Sequence, residues 1–344
     1  MTWFAKLAAA AVAVCSVGFA STAAWAAEVN LFGWSEYVPQ AVLDKFKEET
    51  GITVNYETYD SNEVMLGKLM AGGAKYDLIQ PSEYVVEALI RDGKLMAIDH
   101  AKIPNLKNLE PSYMKEAYDP GLKHSVPYMG GAIGIVYNAE KVKEPIKGFK
   151  DVFSGKYAGK IMVLDDGREM VSWVLATQGK KCNDITDATL AGVKPVMAQW
   201  VKQIKIYDSD SPKDKMLNGD VDIGIVWSGE AAILLNEDAN KFKWTLPEEG
   251  GHRFIDSLAI PKGAPNADAA HKFINFVLRP EISKMISDEF PYTNPNAEAR
   301  RLLEEKDRTN PASYPPNADK LEIFTDIGEI AAKVDELYTA VKSQ

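Results

Sequence analysis

Residues 125–138, Ser-Val-Pro-Tyr-Met-Gly-Gly-Ala-Ile-Gly-Ile-Val-Tyr-Asn, form an apolar, glycine-rich run that reads as extended rather than helical. The run predicts a strand that leaves one sheet and enters another, with Gly130 and Gly131 supplying backbone freedom at the crossing. A second extended segment, Phe254-Ile255-Asp256-Ser257-Leu258-Ala259-Ile260, follows the loop Glu248-Glu249-Gly250-Gly251. Two crossings imply two domains joined by two strands, an arrangement that lets the domains close on a ligand lying between them. The expected division is 27–130 with 255–300 for the first domain and 131–254 with 301–344 for the second.

Away from the crossings, strands and helices alternate. Val29, Leu31 and Phe32 open a strand that stops at Gly33, and residues 39–50 place Val42, Leu43 and Phe46 at helical spacing before Gly51 ends the helix. A strand over 52–56 leads to Asp60-Ser61-Asn62-Glu63, a cap for a helix through Met65, Leu66 and Leu69 that ends at Gly72-Gly73. A buried strand over 76–80 runs into a helix opened by Pro81-Ser82-Glu83-Tyr84. Further helices are expected over 265–278, closed by Arg279-Pro280, and over 326–341. This alternation predicts an α/β fold with a largely parallel sheet.

In open α/β sheets, ligands bind beyond the carboxyl ends of the strands, so the residues at those ends are the candidates for function. The first strand delivers Trp34, Ser35, Glu36 and Tyr37, a carboxylate between aromatic rings that suits a cation with a hydrocarbon body. Equally, the rings are core or anchor residues and Glu36 is a first-turn acid on the helix that follows. Ser82 and Tyr84 stand at the next strand end, where Ser82 also reads as an N-cap. Beyond a strand over 159–164, Asp165, Asp166 and Glu169 are either ligand acids or a cap and its first-turn partner. Trp227 ends the strand over 221–227 and Glu230 follows it; Trp227 reads as core as readily as site.

The first 26 residues hold one charged side chain, Lys6, an apolar run over 7–14 and small residues ending Ala24-Trp25-Ala26. That pattern is an export signal with cleavage near Ala26, too short and interrupted to span a membrane. Cys15 follows Val14, bulkier than the small residue a lipid attachment site would carry. With the signal removed, Cys182 is the single cysteine, which excludes an intramolecular disulfide. Forty-nine acidic against 39 basic residues give a formal charge of −10, which argues against nucleic-acid or anionic-membrane partners and favours a cationic one.

Nucleotide-phosphate, zinc-hydrolase, nucleophile-elbow and dinucleotide motifs do not occur in the sequence. The four histidines, His100, His124, His252 and His271, lack ligand spacing and read as surface or internally satisfied residues. A secreted hydrolase using Asp166, Glu169 or Asp256 is the competing class, and a receptor for ferric ion or an amino acid is the alternative within the same architecture.

Several stretches carry a family resemblance: Gly33-Trp34-Ser35-Glu36-Tyr37, Tyr59-Asp60-Ser61-Asn62-Glu63, Tyr76 through Ser82, the Asp-Asp-x-Arg-Glu box ending at Glu169, and Gly224 through Gly229. Pro247 through Gly251, Asp256 through Pro261 and Leu278-Arg279-Pro280 add looser matches. On these the chain resembles the periplasmic spermidine/putrescine-binding proteins of bacterial polyamine ABC transporters, along essentially its whole mature length. The resemblance implies a two-domain periplasmic binding protein fold of type II, each domain a mostly parallel sheet flanked by helices. It also implies a periplasmic monomer that works with a membrane permease, without catalytic residue, cofactor or metal. The ligand set it implies is Trp34, Ser35, Glu36, Tyr37, Ser82, Tyr84, Asp166, Glu169, Ser209, Trp227, Phe254, Asp256 and Tyr292. Glu36, Asp166, Glu169 and Asp256 would pair with ammonium groups, and the rings would cover methylenes. Phe254 stands where some members carry tryptophan, and Phe324 replaces a polar contact. Glu230 adds an acid expected to meet the second ammonium. Ser35 leans toward the putrescine type, whereas Glu36 and Tyr84 lean toward the spermidine type.

Overall fold

A computed structural model describes residues 28–72 and 75–343. The expected export signal and its cleavage point therefore lie outside the described residues. Among the described residues nine strands follow one another: β1 (Glu28–Trp34), β2 (Thr53–Tyr59), β3 (Leu78–Ile79), β4 (Ser125–Asn138), β5 (Ile161–Val163), β6 (Ile204–Tyr207), β7 (Ile223–Trp227), β8 (Phe242–Thr245) and β9 (Arg253–Ala259). They join in the order β2-β1-β3-β9-β4-β7-β5-β6, with β8 paired to β4.

Each half of this order has a parallel trio. β1 pairs in parallel with β2 and β3, and β5 does so with β6 and β7. The two trios are joined through β4 and β9, which run antiparallel to each other. β4 is the connecting element expected from its sequence: residues Ser125 to Ala132 pair with β9, then Ile133 to Tyr137 pair with β7 and Ile135 to Asn138 with β8. Every residue of β4 is buried, so no polar face remains to be solvated, and this explains its apolar composition.

The glycines at the change of partners act differently from expectation. Neither Gly130 nor Gly131 has a positive φ. Space is what Gly131 provides, since a Cβ there would lie 2.5 Å from the Phe254 ring and 2.7 Å from Ser228 Oγ.

The helices agree with their sequence signals at most ends. Gln40–Thr50 buries Val42, Leu43 and Phe46 and stops at Gly51, whose φ of 71° only glycine adopts readily. Ser61 caps Asn62–Ala71 by accepting from the Val64 N–H. Pro280 does more than close the preceding helix Ala267–Val277, because it also starts a new one, Pro280–Glu289. The last helix, Ile330–Lys342, packs on Gly167–Thr177 and Asp187–Trp200, beside the second trio. No helix among the described residues is long and apolar enough to cross a membrane.

Candidate ligand-binding site

A cavity of about 330 Å³ lies where the ends of the two strand trios face each other, and all fourteen residues expected to bind ligand line it. Strand ends deliver most of them, as the fold rule requires. After β1 the chain passes through Glu36 in the left-handed region, φ 49°, which turns it between Trp34 and Tyr37. The helix begins only at Gln40 with no acid in its first turn, so Glu36 is not a dipole-offsetting residue.

Ser82 occupies an N-cap position, yet its hydroxyl makes no cap bond. It donates to Asp256 Oδ1 at 2.6 Å, and the Tyr37 hydroxyl donates to Asp256 Oδ2 at 2.7 Å. Asn62 Nδ2 reaches both Ser82 Oγ and the Tyr84 hydroxyl, at 3.0 and 2.9 Å. Burial drives the Asp256 carboxyl upward, the two hydroxyls pull it back, and the net position is about 7.

Aromatic rings line the cavity in a continuous series. Trp34 and Tyr37 centroids are 6.5 Å apart, Tyr37 and Tyr292 5.4 Å, Tyr292 and Phe254 6.1 Å, and Phe254 and Trp227 5.5 Å. Gly229 makes room for this wall, because a Cβ there would lie 2.4 Å from the Tyr292 ring. Tyr37, Phe254 and Tyr292 also belong to the buried core, so the core and site readings of such rings are both met.

The acids divide by what already holds them. Asp166 is the N-cap of Gly167–Thr177, accepting from the Glu169 N–H at 3.0 Å, and burial followed by the Glu169 and Glu63 charges raises its carboxyl. Glu169 does not complete a capping box; its carboxylate takes His252 Nδ1 at 2.6 Å and Trp173 Nε1 at 3.1 Å. His252 also contacts Glu83 Oε1 at 3.0 Å and stacks on Phe324 with centroids 3.6 Å apart. Burial alone would depress this imidazole, but Glu169 and then Glu83 outweigh it and hold it at about 9. His252 is therefore internally satisfied, and it stands in the cavity wall.

At the other end, Lys213 Nζ lies 2.6 Å from Glu36 and 3.3 Å from Glu230. Burial lifts the Glu230 carboxyl to about 7, while the two glutamates hold the Lys213 ammonium above its ordinary value. These tendencies oppose each other at one contact. The ionised pair is the form that satisfies both the ammonium and the Lys213 N–H, which also donates to Glu230, at 3.2 Å. Ser209 accepts the Trp227 indole N–H at its carbonyl, and Ser35 donates to Asp210.

Asn62, Glu63, Arg168, Asp210, His252, Asp335 and Tyr338 also line the cavity, outside the ligand set expected from sequence. Asn62 and Glu63 follow the end of β2, so the strand-end rule applied there would have found them. Asp335 and Tyr338 come from the last helix, whose sequence gives no sign of where it docks.

A binding cleft between two strand trios defines a class of receptor. The family model for bacterial extracellular solute-binding proteins matches residues 41–313, and the chain belongs to that family. It is 33% identical over 317 residues, 91% of this chain and 90% of the relative, to the spermidine/putrescine-binding periplasmic protein of Salmonella typhimurium. It is 32% identical to the putrescine-binding periplasmic protein PotF of Escherichia coli, over 94% of this chain and 92% of that one. Among solved structures it resembles the substrate-binding protein PotD of a spermidine/putrescine ABC transporter from Streptococcus pneumoniae. That match has a TM-score of 0.78 at 32% identity, covering 92% of this chain and 99% of that one. Within the family the chain groups with the spermidine/putrescine-binding periplasmic proteins, which are substrate-binding components of transporters and not enzymes.

Proposed function

We propose that this chain captures putrescine or spermidine in the cleft and delivers it to the permease of an ABC transporter. Asp256 carries the reading. Its carboxylate is buried among rings, is held by two hydroxyls, and forms no ion pair with Lys, Arg or His among the described residues. Asp166, in the same cavity wall, is likewise without an ion pair among the described residues, and the two offer stations for cationic groups. A polyamine is an alkane with an ammonium at each end, so it matches spaced acids joined by aromatic walls. Four methylenes contribute about 3 kcal/mol on burial at roughly 0.8 each, and each charge-assisted hydrogen bond adds about 1.5 to 3. Less an association cost of at least about 4 kcal/mol, four such bonds would leave about 5 to 11 kcal/mol, a range that contains the roughly 8 of micromolar binding.

The two relatives quoted differ by one percentage point of identity while their names give different amines, so overall similarity does not select the ligand. Residues 27–130 with 255–300, and 131–254 with 301–344, are the bodies proposed to close on it, with β4 and β9 as the hinge strands. The mature chain is proposed to start near Ala27 in the periplasm and to act as a monomer. N-terminal sequencing and light scattering of the exported protein test those two points. For the ligand, mature protein refolded to strip bound solute is titrated calorimetrically with putrescine, spermidine, cadaverine, ferric citrate and amino acids. Binding of an amine at micromolar or lower concentration is expected. Heat from ferric citrate or an amino acid alone overturns the reading.

A further inference from the structure

Of the acids that line the cavity, Glu36 and Glu230 already hold a cation supplied by the chain itself. Lys213 reaches them from the short helix Pro212–Leu217, its ammonium on both carboxylates and its N–H on Glu230. The lysine side chain is 16% exposed and that of Glu230 5%, so the contact is largely shielded from solvent, and Glu36 alone of the three opens substantially to water. Tyr292 is within electrostatic reach of Glu230, Asp256 and Glu36, which ties this acid pair to the station at Asp256.

We infer that Lys213 stands in for one ammonium group and thereby sets the charge of the accepted ligand, so that the receptor selects a dicationic over a tricationic amine. The inference rests on the polyamine reading above. Asp166 and Asp256 line the same cavity, and neither forms an ion pair of its own among the described residues, so they offer stations for the two ends of a short diamine. A third ammonium directed to the Glu36–Glu230 pair enters beside Lys213, against like charge in a partly desolvated site, or displaces it. Displacement would break the ammonium's two contacts to Glu230, which is almost wholly buried, and its contact to Glu36. Glu230 was expected from sequence to meet a ligand ammonium directly; on this inference the lysine takes that place.

Calorimetric titration of refolded wild-type, Lys213→Met and Lys213→Arg proteins with putrescine and spermidine tests the inference. The wild type should bind putrescine at least tenfold more tightly than spermidine. Lys213→Met should move that ratio toward spermidine by at least tenfold, and Lys213→Arg, which keeps the charge, should leave it within threefold of wild type. A wild-type preference for spermidine, or a folded Lys213→Met protein whose ratio moves by less than tenfold, overturns the inference and leaves the polyamine reading standing. Should Lys213→Met not fold, the wild-type ratio decides by itself. Absence of binding to either amine in the wild type removes both the reading and the inference.

Discussion

Burial holds the Asp256 carboxyl near 7 although Ser82 and Tyr37 both donate to it, so in the empty protein this acid carries a proton over much of the mildly acidic range. An ammonium ligand favours the ionised form. Binding below about pH 7 must therefore expel a proton, and affinity should weaken by as much as about tenfold for each pH unit below that point. Titrations at pH 6 in buffers of different ionisation enthalpy would show the release as a buffer-dependent heat, and a heat independent of buffer would contradict it. Asp256→Asn removes the charge while keeping an acceptor for one hydroxyl. Its expected effect is a loss of roughly 1.5 to 3 kcal/mol in binding, the scale of one charged hydrogen bond. An unchanged dissociation constant would remove Asp256 from the site.

Among the elements, β4 carries the most. It is buried along its whole length and changes partner from β9 to β7 and β8 between Ala132 and Ile133. Gly131 lies one residue before that change and admits the Phe254 ring, so the strand crossing and one wall of the cavity depend on the same missing side chain. Gly131→Ala should cost about 1 to 3 kcal/mol of stability through overpacking, readable by denaturant unfolding. It should also weaken ligand binding by displacing Phe254. Gly51→Ala serves as a contrast: nothing lies within 4 Å of its Cβ position, and only the positive φ opposes the change. Stability would fall there without any effect on binding.

On the scale of the molecule, His252 ties the two trios together. Its ring joins Glu83, in the helix Glu83–Arg91 that follows β3, to Glu169, in the helix that follows β5. At about 9 the imidazole lies above its unfolded value, so its contribution is fully present below about pH 6.5 and disappears as pH rises through about 9. The difference is on the order of 3 kcal/mol by linkage. Thermal unfolding of wild type should therefore lose midpoint temperature between pH 6.5 and 9.5 more steeply than His252→Gln. Parallel curves for the two proteins would show that the histidine does not titrate with folding. Removing the ring also leaves Glu83 and Glu169 facing each other in the interior, so the variant should be less stable than wild type at pH 6.

Much of this protein was legible from sequence because its strands end on distinctive residues. Periodicity and glycine stops located the first parallel trio and two strands of the second, though not β6; the long apolar run at 125–138 predicted its change of partner, and the strand-end rule selected side chains that do meet at one cavity. What the sequence left open was which hydroxyl, ring or acid would turn inward: Ser82 reads as a cap, Glu36 as a first-turn acid, and His252 as a surface or internally satisfied residue with no partner named. Those outcomes depend on partners more than eighty positions away, Asp256 for Ser82, Lys213 for Glu36, and Glu83 and Glu169 for His252. Local propensity decides what a segment becomes, since backbone hydrogen bonds and side-chain spacing act over a few residues. The pairing of buried charges is decided only when packing withdraws them from water and leaves each with the neighbours the fold supplies.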